Sequence, residues 1–146
     1  MDAISLLIRD HKNTEDLFVL YEAAATAEDY IKDALARKIT SALTVHMQIE
    51  EELFYPKARE VLDDANVDLV DDAKTEHLAA KKLIETIYKR EPGARMDVLM
   101  KALKAAIEHH VEEEEMEMFP RLQHLGMETK QLGAKMAARK SQLMPD

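Results

Sequence analysis

Four stretches of about 20 to 30 residues carry apolar side chains at helical spacing, and each stripe holds a histidine in phase with it. The first stripe is Ile4, Leu7, Ile8, Phe18 and Tyr21; the second Ile39, Leu43 and Leu53; the third Val70, Ala73, Ala80, Ile84 and Ile87; the fourth Leu99, Leu103, Ile107 and Met118. His11 lies seven residues from both Ile4 and Phe18, His46 three after Leu43, His77 seven after Val70 and His110 seven after Leu103. An apolar stripe has to face a buried interior, so four helices aim one imidazole each at the same core.

Three breaks separate the stripes: Ala24 to Asp29, Asp63-Asp64-Ala65-Asn66, and Glu91-Pro92-Gly93-Ala94. Connections this short make sequential helices antiparallel neighbours. They predict an all-α, up-down-up-down four-helix bundle over about residues 2–122, with a short fifth helix from about Met127 to Leu143 packed against it. The chain of 146 residues reads as one domain, 1–146. Its three glycines and four prolines are too few to turn a many-stranded sandwich or barrel.

Composition narrows the chemistry. With no cysteine there is no disulfide framework, thiolate zinc site, iron–sulfur cluster or thiol nucleophile, so any metal must take nitrogen and oxygen ligands. Twenty basic against 29 acidic residues, a formal charge of -9, argue against nucleic acid and anionic lipid as partners. No apolar run approaches the roughly 18 residues needed to span a bilayer, and the opening MDAISLLIRDHKN has too short an apolar core for a secretory signal. A soluble, cytoplasmic protein is expected.

Two of the core-phase histidines are followed four residues later by glutamate, as His46-x-x-x-Glu50 and His110-x-x-x-Glu114. Four residues turn a helix by about 400°, so imidazole and carboxylate emerge on one face about one turn apart. In an acidic chain one such pair means little, and His11-x-x-x-Glu15 is read as an accident with Glu15 on the surface. The pairs at 46 and 110 belong to a longer repeat: HMQIEEELFYP (46–56) aligns without a gap to HVEEEEMEMFP (110–120), and Asp10-His11 matches Glu76-His77 in the preceding helix. The chain therefore reads as two related helical hairpins facing one another. Counted from the turns, all four histidines fall near mid-bundle.

Glu50 and Glu114 sit in core phase, where a carboxylate is costly unless a cation neutralises it. Four imidazole bonds and two bridging carboxylates make about eight in all, too many for one tetrahedral zinc and short of two six-coordinate ions. An oxo or hydroxo bridge, water and an open position for a small ligand would complete the set. Mixed imidazole and carboxylate without sulfur suits iron or manganese better than calcium or copper. In the Glu112 to Glu115 run only Glu114, and to a lesser degree Glu113, reads as more than solvated surface; His109 and His124 read as exposed or supporting.

These residues resemble the hemerythrin-like family, specifically its HHE cation-binding domains. The resemblance runs through Asp10-His11, His46-x-x-x-Glu50-Glu51 with Leu53-Phe54-Tyr55-Pro56, Glu76-His77, and His110-x-x-x-Glu114-Glu115 with Met118-Phe119-Pro120; the tail from Leu132 to Arg139 is similar to the helix that commonly follows the domain. It implies two non-haem iron ions per chain, oxo- or hydroxo-bridged, with His11, His46, His77 and His110 as nitrogen ligands and Glu50 and Glu114 as bridges. The invertebrate oxygen carriers place a second imidazole four residues after the third-helix histidine, where this chain has Lys81, and an aspartate five after the last histidine, where it has Glu114 at four. Both differences argue against simple oxygen storage and leave room for water, peroxide or a side chain such as Tyr55. In a regular helix Tyr55 lies about 180° from His46, so it reaches the metals only where Pro56 distorts the turn. The ferritin-like Glu-x-x-His spacing and the zinc-hydrolase His-Glu-x-x-His are both absent.

The function expected from the resemblance is binding or reaction of a small oxidant, dioxygen, hydrogen peroxide or nitric oxide, with catalase-like peroxide decomposition the most concrete version. The alternative is a non-enzymatic oxygen- or iron-binding or sensing module. Its output would rest on the short basic helix carrying Lys130, Lys135, Arg139 and Lys140. A monomer is compatible with the constellation.

Overall fold

The computed structural model describes residues 1–89 and 94–144. Among these residues there are helices and turns but no strand. The elements are α1 (Ala3–Ala23), α2 (Asp29–Ile49), a π-helical turn (Glu50–Phe54), α3 (Tyr55–Val61), α4 (Asp68–Tyr88), α5 (Ala94–Glu113), a second π turn (Glu114–Met118), α6 (Phe119–His124) and α7 (Lys130–Leu143). Each π turn runs on from the helix before it into the helix after it, so the bundle consists of four long helices with α7 laid against α1 and α2. The first two expected breaks fall where the chain turns; the third, at Glu91-Pro92-Gly93, lies outside the described residues.

Local chemistry sets the ends. Asp2 caps α1 by accepting the Ser5 backbone N–H at 2.8 Å, meeting one of the unpaired donors of a helix start. Gly126 closes α6 at φ +77°, a left-handed conformation that glycine adopts without steric cost. α7 begins at Lys130 rather than near Met127, where Glu128 Oε1 accepts the backbone N–H groups of Lys130 and Gln131.

The core is in two parts. One apolar cluster includes Ile4, Leu7, Ile49, Phe54, Val70, Phe119, Leu122, Leu132 and Met136. The other includes Phe18, Tyr21, Ile39, Leu43, Met47, Ile84, Met100 and Leu103. The stripes predicted these faces with one error: Ile8 is exposed. On α1 it is turned about 70° from the face centred between His11 and Phe18, so its helical spacing from Ile4 places it on the outer flank. Leu53, Leu99 and Ile107 are half-buried at the seams, while Met96 and Met100 take the inward positions at the start of α5. His11, His46, Glu50, His77, His110 and Glu114 belong to neither apolar cluster and are buried among the four helices.

Candidate metal centre

All six expected ligands are buried, Glu50 fully so and Glu114 to within 1%. Each comes from a different element: His11 from α1, His46 from α2, Glu50 from the first π turn, His77 from α4, His110 from α5 and Glu114 from the second π turn. Their donor atoms form two groups that share a residue. His11, His46, Glu50 and Glu114 converge on one side, and Glu50, His77 and His110 on the other. Glu50 Oε1 lies 3.2 Å from His46 Nε2 and 3.1 Å from His77 Nε2, so one carboxylate reaches both groups. Glu114 spans them too, with Oε1 3.1 Å from His11 Nε2 and Oε2 3.4 Å from His110 Nε2.

The arrangement leaves polar atoms unmatched. His11 Nε2, His46 Nε2, Glu50 Oε2 and Glu114 Oε1 are all buried without a hydrogen-bond partner among the described residues. His11 Nε2 and Glu114 Oε1 are within ion-pair distance, yet the angles of a hydrogen bond are not met. An orphaned buried polar atom costs about 1–3 kcal/mol, and four in one place are hard to tolerate in a finished core. Cations held between them would satisfy all four, so these residues fit a metal centre.

What lies behind the imidazoles fixes which nitrogen points inward. His11 Nδ1–H donates to Glu115 at 2.6 Å, His46 Nδ1–H to Asp10 at 3.0 Å, His77 Nδ1–H to Glu51 at 2.7 Å and His110 Nδ1–H to Glu76 at 2.7 Å. With Nδ1 protonated against a carboxylate, Nε2 is left as the inward lone pair, and the negative charge raises its basicity. The four bonds follow the internal repeat. The acid preceding the histidine of one helix holds the histidine of the next helix, Asp10 to His46 and Glu76 to His110. The acid following each core glutamate holds a histidine of the other hairpin, Glu51 to His77 and Glu115 to His11. In the sequence these four acids are repeated letters without an evident role. Glu115, expected in the solvated run, is instead half-buried with its carboxylate against His11. The signal available was that acids recur beside each ligand in both hairpins.

The π turns explain Tyr55. Pro56 and Pro120 lack an N–H, and in a continuous α-helix their rings would strike the carbonyl four residues back. Widening the preceding turn relieves this: Tyr55 N–H bonds the Glu50 carbonyl and Phe119 N–H the Glu114 carbonyl, each five residues back. The extra residue absorbed leaves Tyr55 about 80° from His46 rather than 180°, on the site-facing side. Its hydroxyl donates to Glu114 Oε2 at 2.6 Å and lies 3.1 Å from His77 Nε2 and 3.4 Å from His110 Nε2. The equivalent residue of the second hairpin is Phe119, whose ring stacks on His11 at 6.1 Å, so only one side of the centre carries a phenol.

Without metal, protons neutralise this pocket. Burial works against a charged imidazole, but the Glu50 carboxylate and the Asp10 hydrogen bond push His46 up to about 10. Burial likewise opposes charge on His110, and Glu114 and Glu50 push it up to about 12. Burial would raise the Glu50 carboxyl, yet His46 and its hydrogen bonds hold it well below the usual range. Burial and the nearby Glu50 and Glu114 charges raise Tyr55 well above 10, so its hydroxyl keeps its proton.

The remaining candidates separate as follows. Glu15 and His124 are exposed. His109 is 67% exposed and touches Glu76 and Glu113. Lys81 donates to Glu51 at 2.7 Å, so the position where the oxygen carriers have an imidazole serves the carboxylate behind His77.

The family model described as the hemerythrin HHE cation binding domain matches residues 2–137. No curated protein matches the chain. A solved structure of a hemerythrin HHE cation binding domain-containing protein from Mycobacterium kansasii superposes with a TM-score of 0.81 at 24% identity, covering 98% of this chain and 87% of that one. At that identity the likeness concerns the fold.

Proposed function

This chain belongs to the hemerythrin HHE cation-binding domain family, and on that premise we propose that it holds two non-haem iron ions and uses them to bind or reduce a small oxidant, most concretely to decompose peroxide. The observation that carries this reading is the set of orphaned buried atoms, His11 Nε2, His46 Nε2, Glu50 Oε2 and Glu114 Oε1, aimed into one pocket. His11 and His46 would hold one ion and His77 and His110 the other, with Glu50 and Glu114 reaching both. When bound, the ions supply Lewis acidity and a two-electron reservoir.

The protein's part is positional and protonic. Asp10, Glu51, Glu76 and Glu115 hold each imidazole by Nδ1–H, so Nε2 is presented without reorganisation. Phe54 and Phe119, packed edge-to-face at 5.5 Å, keep bulk water from one side. Tyr55 holds a proton at Oη against Glu114 Oε2 and can donate it to a ligand entering beside His77 and His110.

A second reading, an oxygen- or iron-sensing module, is favoured by one contact. Lys140 of α7 bonds Asp10 at 2.5 Å while the other Asp10 oxygen accepts from His46, a direct line from the pocket to the C-terminal helix. The deciding experiment prepares reduced protein without oxygen, counts iron per chain, then adds dioxygen or peroxide while following the visible spectrum and gas evolution. About two irons with catalytic oxygen release support the enzyme, and an adduct that reverses on deoxygenation supports the module. Substoichiometric zinc refutes both. Glu114→Ala lowers the iron count; a variant that still binds two irons overturns the bridging assignment.

A further inference from the structure

The two hairpins treat their outer carboxylates differently. In the first, Asp10 gives one oxygen to His46 and the other to Lys140, and the neighbouring repeat positions, Val45 and Ile49, are buried apolar side chains. In the second, Glu76 gives Oε1 to His110, and the positions aligned with Val45 and Ile49 are His109 and Glu113. Both turn toward the outer oxygen of Glu76. His109 Nε2 lies 3.3 Å from Glu76 Oε2 and 3.1 Å from Glu113 Oε1, and the donor atoms of all three residues fall within 4.8 Å of one another. No lysine or arginine among the described residues forms an ion pair with Glu76 or Glu113. Where α7 supplies a cation to the first hairpin, the second has one imidazole and two crowded carboxylates.

We propose that Glu76, His109 and Glu113 form an outer binding site for one divalent transition-metal ion, separate from the buried centre and joined to it through Glu76. The separations fit: with metal–ligand bonds of about 2.1 Å, neighbouring donors stand about 3.0 Å apart in an octahedral shell and about 3.4 Å apart in a tetrahedral one. An imidazole with two carboxylates suits Zn²⁺ or Fe²⁺ better than Ca²⁺ or Mg²⁺. His109 is 67% exposed, so its solvent side leaves room for water to complete the coordination. The ion would do for Glu76 what Lys140 does for Asp10. It would also draw charge from the carboxylate that holds His110, so occupancy outside would weaken the basicity of a residue inside.

The test is a Zn²⁺ titration of the whole chain after iron loading, read by calorimetry and by the NMR signals of the histidine rings, in wild type, His109→Ala and Glu113→Gln. The expected result is one more Zn²⁺ bound by wild type than by His109→Ala, at least a roughly 10-fold loss of that affinity in Glu113→Gln, and unchanged helical content and iron count. Equal Zn²⁺ uptake by wild type and His109→Ala overturns the proposal. The Zn²⁺ difference does not depend on the inner centre. If no chain binds iron and the difference persists, the reading of the buried centre fails and this one stands; if iron loads normally and the difference is absent, only this one fails.

Discussion

Asp10→Asn separates a carboxylate that holds a metal ligand from one that merely lies nearby. Asp10 is 7% exposed, and its two oxygens accept from His46 Nδ1–H at 3.0 Å and Lys140 Nζ at 2.5 Å. Asparagine offers one oxygen and one NH₂, so in either orientation the NH₂ meets a donor. If the oxygen stays with His46, Lys140 is one-third exposed and can hydrate, and the loss is the charge behind the imidazole. Removing such a partner costs about 10- to 100-fold in metal affinity, about 1.4–2.7 kcal/mol at 1.36 kcal/mol per decade. The loss is confined to the ion that His11 and His46 would hold, because Glu51 and Glu76 still hold His77 and His110. The assay is competitive titration with a chelator of known affinity, resolving two binding steps, with Glu15→Gln, an exposed acid one turn from His11, as control. Wild-type affinity at both steps, or equal weakening of both, would refute the reasoning.

Four further outcomes follow from the structure. Tyr55→Phe removes the 2.6 Å bond to Glu114; it destabilises the metal-free protein by about 1.5–3 kcal/mol in urea unfolding and slows reaction with peroxide at an unchanged iron count. Metal must displace protons from His46, held at about 10, and His110, held at about 12. Loading at neutral pH therefore releases two protons, and affinity falls about 100-fold per pH unit toward acid; calorimetry in buffers of different ionisation heat reads the count, and pH-independent affinity contradicts the assignment. With His46 raised in the folded state, the metal-free protein keeps that contribution below the unfolded imidazole value and loses it as pH rises through about 10. Gly133→Ala puts a Cβ 2.5 Å from the Met1 carbonyl oxygen and 2.7 Å from the Ala3 nitrogen, backbone atoms that cannot swing aside; about 1–3 kcal/mol of stability is lost, and a wild-type urea midpoint would count against the packing of α7 on the N-terminus.

How much of this was legible in the amino acids depends on the range over which each feature acts. Helical phase is local, so the stripes and the inward phase of His11, His46, Glu50, His77, His110 and Glu114 could be read from spacings of three, four and seven. The duplicated motif added that two hairpins face one another. What stood behind the ligands could not be read that way, because every Nδ1 partner comes from another helix, 104 residues away for His11 and Glu115. Choosing those four acids among 29 requires the packing of the bundle. Tyr55 lies between the two cases: Pro56 announced a disturbance, but whether it kinked, ended or widened the helix was decided by the surrounding core. That core continues the helix on both sides of Glu50, and a continued helix absorbs a proline most cheaply by taking one extra residue into a turn. The sequence alone determined the helices and the inward phase of four histidines and two glutamates; tertiary packing decided the tautomer of each imidazole, the facing of the tyrosine and the unequal corners at Asp10 and Glu76.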